Sequence, residues 1–136
     1  MEIIKEIPTL SDYRMLCSAV GWAEVMNFEA AETSLKHSLF GITIKENEKT
    51  VGMGRIIGDG AIYFYIQDIV VHPKYQKQGI GHLIMETLMA YLKENAPDKA
   101  FVGLFASEGN ESFYQKYAFE DYSPNMTGMF TVIEKK

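Results

Sequence analysis

The chain has 136 residues, is 47% hydrophobic and carries a formal net charge of -5. This length and apolar content suit one domain spanning residues 1–136, able to bury a core without disulfides or metal ions. The acidic balance excludes nucleic acid as the main partner, since that binding rests on concentrated positive charge, and no apolar run reaches the ~20 residues that cross a bilayer.

In chain order, Glu2–Ile7 reads as a short apolar strand stopped by Pro8. Ser11 is placed to cap a helix running to Val20, with Tyr13, Leu16, Cys17 and Val20 on one face. Cys17 is the one cysteine; it cannot form an internal disulfide and reads as a small buried residue in a reducing compartment. Asn27 caps a second short helix carrying Phe28, Ala31 and Leu35 and ending near His37. The period then changes. Leu39–Lys45 and Thr50–Ile57 read as an antiparallel pair joined by a polar turn, Glu46–Lys49. Gly58-Asp59-Gly60 is a tight-turn signal, because Asp-Gly tolerates positive φ. Ala61–Val71 follows as a long aromatic and β-branched strand that completes a meander.

Pro73 closes that strand, and an amphipathic helix runs from Gly81 to Asn95 with Leu83, Ile84, Leu88, Tyr91 and Leu92 on its apolar face. Phe101–Ala106 is a further strand, parallel to the previous one because a helix crossover joins them. Glu111–Lys116 is a short helix and Thr127–Ile133 a final strand. The expected class is α/β with a mixed sheet. Met1 leads straight into Glu2 with no basic-then-apolar start, so a cytoplasmic location is expected.

The stretch after the long strand carries the chemistry. In Gln76-Lys77-Gln78-Gly79-Ile80-Gly81 two glycines let the backbone curl closely around a ligand. The helix that follows offers unpaired N–H groups and the positive end of its dipole, which together suit a diphosphate. Lys74 and Lys77 add local positive charge. Alone, this spacing fits an ordinary glycine turn equally well. No Gly-Lys-Ser/Thr follows a longer glycine loop, and the third glycine of the dinucleotide fingerprint is missing. His37 and His72 are too far apart to suggest a metal pair, so no metal is expected.

Gln76-x-x-Gly79-x-Gly81, preceded by Asp68-Ile69-Val70-Val71-His72-Pro73, resembles the acyl-CoA signature of the GNAT (general control non-repressible-related) N-acetyltransferases. Asn110-x-x-x-Tyr114-x-Lys116-x-x-Phe119 resembles that family's second block, and the likeness is strongest from Val51 to Phe119. It implies a GNAT acyl-CoA N-acyltransferase fold, with an antiparallel meander, a splayed parallel strand pair and flanking helices. It also implies acetyl transfer from acetyl-CoA to a primary amine of a small molecule or peptide, by direct attack in a ternary complex. Pantetheine would lie along the main chain of Ile69, Val70 and Val71. The pyrophosphate would sit on amides of Gln76, Lys77, Gln78, Gly79, Ile80 and Gly81, with His82 beside it. Asn110 would bond the pantetheine region, while Phe113 and Lys116 would flank the cofactor's outer parts. Tyr114 would protonate the departing thiolate, a task a phenol can perform.

The base is less legible. Strict alternation puts Tyr63, Tyr65, Gln67, Ile69 and Val71 on one face of the strand, with Phe64, Ile66, Asp68 and Val70 on the other. Asp68 is the nearby carboxylate and the candidate base, if a bulge re-aims it; otherwise it hydrogen-bonds to hold the splay. For the acceptor the candidates are Trp22, Phe28, Arg55, Tyr63, Tyr65 and Gln67, with Met129 and Phe130 from the last strand. Their aromatic rings suit an acceptor with an apolar or cationic part, and Arg55 a carboxylate or phosphate on it. Two other classes stay open: a non-catalytic acyl-CoA-binding regulatory module, and an interaction domain with a merely structural glycine turn. The terminal strand could pair across a homodimer interface.

Overall fold

In the computed structural model, which describes residues 1–135, local chemistry decides where each element starts and stops. Contacts divide the chain into two units, Met1–Leu104 and the part from Phe105 onward. The first unit opens with strand β1 (Glu2–Ile4), shorter than expected, and helices α1 (Leu10–Ala19) and α2 (Phe28–Lys36). Thr9 rather than Ser11 caps α1, its hydroxyl accepting from the Asp12 amide at 3.1 Å. Asn27 caps α2 as expected, accepting from the Ala30 amide. Strands β2 (Phe40–Glu46), β3 (Lys49–Gly58) and β4 (Tyr63–Val71) follow, then helix α3 (Ile80–Asn95) and strand β5 (Phe101–Gly103).

The sheet order is β1-β2-β3-β4-β5. Neighbours pair antiparallel up to β4, and β5 joins β4 in parallel. The fold is therefore α/β with the mixed sheet that the element order implied. Asp59 accepts from the amides of Ala61, Ile62 and Tyr63, which tightens the turn into β4 and holds its carboxyl below the ordinary range.

Helices cover both faces. On one, Tyr13, Leu16 and Cys17 of α1 and Ala31 and Leu35 of α2 pack with Met53 and Val70. On the other, α3 lays Ile80, Ile84, Met85, Leu88 and Leu92 on the strands, all buried. Close approach there depends on Gly54, where an added Cβ would fall 2.6 Å from Ile84 Cγ2 and 3.3 Å from Leu88 Cδ1. Leu88 is fully buried. Leu88→Ala is expected to lower the unfolding free energy by about 2–5 kcal/mol in a urea titration, the transfer and cavity cost of a core leucine.

The second unit holds helix α4 (Glu111–Gln115). The expected strand Thr127–Ile133 is absent, and no strand lies beyond Gly103 among the described residues. Apolar alternation makes a segment strand-competent, but a ladder needs a partner. Met129, Phe130, Val132 and Ile133 are instead exposed. Among the described residues, no helix is long and apolar enough to cross a membrane.

Candidate active site

The geometry is concentrated at the C-terminal end of β4. On its outer side, β5 pairs only with Tyr63, Tyr65 and the residue between them. From Ile66 to Val71 the ladder on that side stops, so main-chain groups at the open edge are available to an extended ligand. The parallel pair that the resemblance implied is present, and β5 ends at Gly103 rather than at the expected Ala106.

A bulge lies within that segment. Met53 pairs with Val70 and Arg55 with Gln67, so Asp68 and Ile69 together stand opposite Gly54. Asp68 adopts a left-handed φ of 58°. The alternation read from sequence therefore breaks there. Gln67 and Asp68 both face α1 and α2, the first by its pairing with Arg55 and the second by its bonds to Arg55 and Tyr13. Ile69 turns to the α3 side, where its Cδ1 lies 2.8 Å from a Cβ built on Gly54.

Beyond Val71, a short 3₁₀ turn (Pro73–Tyr75) leads into the glycine loop. His72 Nδ1 accepts from the Lys74 amide, and the Gln76 side-chain amide donates to the Val71 carbonyl at 3.1 Å. Gln76 thus ties the loop to the end of β4. Left-handed conformations at Lys77 (φ 65°) and Gly79 (φ 85°) bend the loop twice, the kind of backbone that forms anion nests. Gly79 is the N-cap of α3, which has no side-chain cap. The helix's own bonding begins with the Leu83 amide, which donates to the Gly79 carbonyl. The amides of Ile80 and Gly81 lie in the first turn, before any intrahelical partner is available.

Two site expectations are corrected by the buried network beside the bulge. Arg55 is not an open cation for an acceptor. Its Nε donates to Asp68 Oδ2 at 2.8 Å, Nη1 to the Ser34 carbonyl and Ser38 Oγ, and Nη2 to Ser34 Oγ. Asp68 is not an open base, because the same Oδ2 also accepts from the Tyr13 hydroxyl at 2.9 Å and its side chain is only 6% exposed. Burial first, then the Asp68 charge, raises the Tyr13 phenol, so it stays a donor. The same two causes push the Cys17 thiol up to about 11, which makes it inert as a nucleophile near neutrality.

On the acceptor side, Tyr63, Tyr65 and Gln67 are exposed. Phe101 of β5 stands between the two tyrosines, with ring centroids 6.0 Å and 5.9 Å away; in the sequence it carries no signal beyond that of a strand residue. Trp22 and Phe28 pack partly against the α1–α2 core, where aromatic bulk serves stability. Phe28 also lies under the Arg14 guanidinium, 4.9 Å from the ring centroid. Sequence reasoning missed Tyr13, Ser34 and Ser38, which belong to no motif.

In the second unit, Asn110 occupies the N-cap position of α4 and its carbonyl accepts from the Phe113 amide at 3.1 Å. The Phe113 and Tyr114 rings meet edge to face, 5.0 Å apart. Burial raises the Tyr114 phenol, which keeps its proton in place. Lys116 and Asn110 are exposed.

Residues 9–129 match the family described as "Acetyltransferase (GNAT) domain". The chain belongs to the GNAT family of N-acetyltransferases. It is similar to the uncharacterized N-acetyltransferase ycf52 of Porphyra purpurea, at 31% identity over 125 residues, 89% of this chain and 70% of the relative. The crystal structure of SA2161, a probable acetyltransferase from meticillin-resistant Staphylococcus aureus, is 36% identical with a TM-score of 0.90, covering 97% of this chain and 98% of that one. A GNAT family acetyltransferase from Brucella melitensis, solved in complex with acetyl-CoA, shares the fold at 17% identity and a TM-score of 0.66, over 89% of this chain and 83% of that one.

Proposed function

We propose that the chain, acting as one domain over residues 1–136, transfers acetyl from acetyl-CoA to a primary amine of a small molecule or peptide by direct attack in a ternary complex. One observation carries the reading: the parallel pair ends at Tyr65, and the rest of β4, paired only with β3, leads through a short 3₁₀ turn into a loop with two left-handed residues at the N-terminus of α3. An open strand edge suits the two amides of pantetheine, and the loop with its helix amides suits the pyrophosphate. The acetyl-CoA complex of the Brucella melitensis fold neighbour supports the same donor.

In this reading Ile69, Val70 and Val71 hold the pantetheine, residues Gln76 to Gly81 hold the pyrophosphate, and His82 lies beside it. Asn110, Phe113 and Lys116 contact the pantetheine and the outer cofactor. The amine nitrogen attacks the acetyl carbon, the carbon–sulfur bond breaks, and Tyr114 gives its proton to the leaving thiolate. The proton lost by the amine passes to water, because the side chains exposed on the β4 face, Tyr63, Tyr65 and Gln67, include neither a carboxylate nor an imidazole. Aromatic exposure at Tyr63, Tyr65 and Phe101 supports an acceptor with an apolar or cationic body. A buried free thiol at Cys17 supports a cytoplasmic setting. A homodimer belongs to the same proposal, with Met129, Phe130, Val132 and Ile133 as apolar surface for it.

The missing base on that face favours one second reading, an acyl-CoA-binding regulatory module without catalysis. Both readings require the cofactor. CoA at a hundred times its Kd is expected to stabilise the fold by about 2.7 kcal/mol, on the order of 10 °C in a thermal melt. An unchanged melting temperature in millimolar CoA would leave the glycine loop a structural turn.

A further inference from the structure

We infer that Arg55 and Asp68, held by Tyr13, Ser34 and Ser38, form a positioning network that sets the bulge in β4 and so decides which main-chain groups meet the pantetheine arm. The inference rests on the acetyl-CoA reading above and adds Arg55, Tyr13, Ser34 and Ser38, which lie outside the two signature blocks.

Asp68 is the starting point. A non-glycine residue with a left-handed φ inside a strand persists only where its surroundings over-determine it. Here the strained residue's own side chain is the one that is pinned. Its Oδ2 accepts from Arg55 Nε at 2.8 Å and from the Tyr13 hydroxyl at 2.9 Å, with Arg55 and Asp68 side chains 8% and 6% exposed. The rest of the guanidinium reaches the Ser34 carbonyl, Ser34 Oγ and Ser38 Oγ. The guanidinium fork and the Asp68 carboxylate together therefore join β3, β4, α1 and the end of α2 at the residue where the strand departs from its pleat. No buried side-chain polar atom among the described residues is left without a partner, so the network is complete.

The consequence follows from strand parity. A strand's main-chain N–H and C=O groups alternate between its two edges, and its side chains between its two faces. The bulge adds one residue opposite Gly54 and shifts that parity for Ile69, Val70 and Val71. If the strand became regular, each of these residues would exchange its edge and its face. The open edge beyond Tyr65 would then present different donors and acceptors to an extended ligand. The glycine loop, fixed by the left-handed Lys77 and Gly79 and by α3, would remain.

The network therefore governs the pantetheine contacts and not the pyrophosphate contacts, and two ligands separate them. Asp68→Asn, Tyr13→Phe and wild type are titrated calorimetrically with CoA and with 3′-phospho-ADP, which is CoA without the pantetheine arm. Folding is checked by circular dichroism and thermal melts. Asp68→Asn is expected to weaken CoA about tenfold, as for one lost charge-assisted bond, and Tyr13→Phe about threefold. Affinity for 3′-phospho-ADP should stay within about twofold in both. A purely structural ion pair would lower the melting temperature and leave the ratio of the two affinities unchanged, and that result overturns the inference. Should Asp68→Asn not fold, Tyr13→Phe decides by the same ratio, since it removes a single hydroxyl. Wild type that binds neither ligand refutes the acetyl-CoA reading and this inference together. Wild type that binds both, with an unshifted ratio in the variants, refutes this inference alone.

Discussion

Gly79→Val is expected to weaken CoA binding at least about a hundredfold while the protein stays folded, the loss of roughly two charge-assisted hydrogen bonds from main-chain amides. The cause is conformational rather than steric. An added Cβ at Gly79 meets nothing within 4 Å, but the residue sits at φ 85°, which a β-branched side chain adopts only under strain. Relieving that strain rotates the peptide planes on either side, and these carry the amides that would face the pyrophosphate. The position is exposed and caps a long helix packed by five buried side chains, so the stability cost should be no more than about 1–2 kcal/mol. Gly79→Asn is the control, because Asn tolerates the left-handed region and should lose less affinity. Calorimetry with CoA, paired with a thermal melt, reads both effects. Undiminished affinity in a folded valine variant would remove the loop from the cofactor site.

Tyr114→Phe is expected to lower kcat about 10²–10³-fold and to change KM for acetyl-CoA little, since it removes only the proton offered to the departing thiolate. Burial raises the Tyr114 phenol above its ordinary 10.0, so the acid form persists through neutral and moderately alkaline pH. The wild-type rate should therefore hold in the range where an ordinary phenol begins to ionise, and the phenylalanine variant should remain uniformly slow. The stability sign follows from the same shift. Folded Tyr13 and Tyr114 keep protons that the unfolded phenols release near 10.0, so their contribution is complete below that pH and is lost as pH rises above it. Full activity in the phenylalanine variant would leave Tyr114 a packing residue.

Most of the first unit was legible because its signals are local. Asp59-Gly60 marked the turn into β4, the change from helical to alternating period marked β2 and β3, and the helix expected from Gly81 starts one residue earlier, at Ile80. Helix ends shifted by a residue or two where caps compete: Thr9 and Ser11 both carry hydroxyls, and Thr9 is the one three residues before Asp12. What failed was non-local. Thr127–Ile133 has the composition of a strand, but pairing depends on a partner that composition does not name. The bulge at Asp68 was invisible to a rule that assumes unbroken alternation. A usable signal was present nonetheless. Arg55 is the one charge between Thr50 and Ile57, Asp68 is the one charge in β4, and buried charges are usually paired. Matching them would have removed Arg55 from the acceptor list and shown why Asp68 is no free base.

The most direct test of the account is amine-dependent thiol release from acetyl-CoA, followed across a panel of small amines, polyamines, amino acids and short peptides, with the product mass measured. The account predicts that at least one amine accelerates thiol release and gains one acetyl group per thiol released. Saturable acetyl-CoA binding, with no acetylated product from any amine in the panel, would contradict it in favour of a binding module.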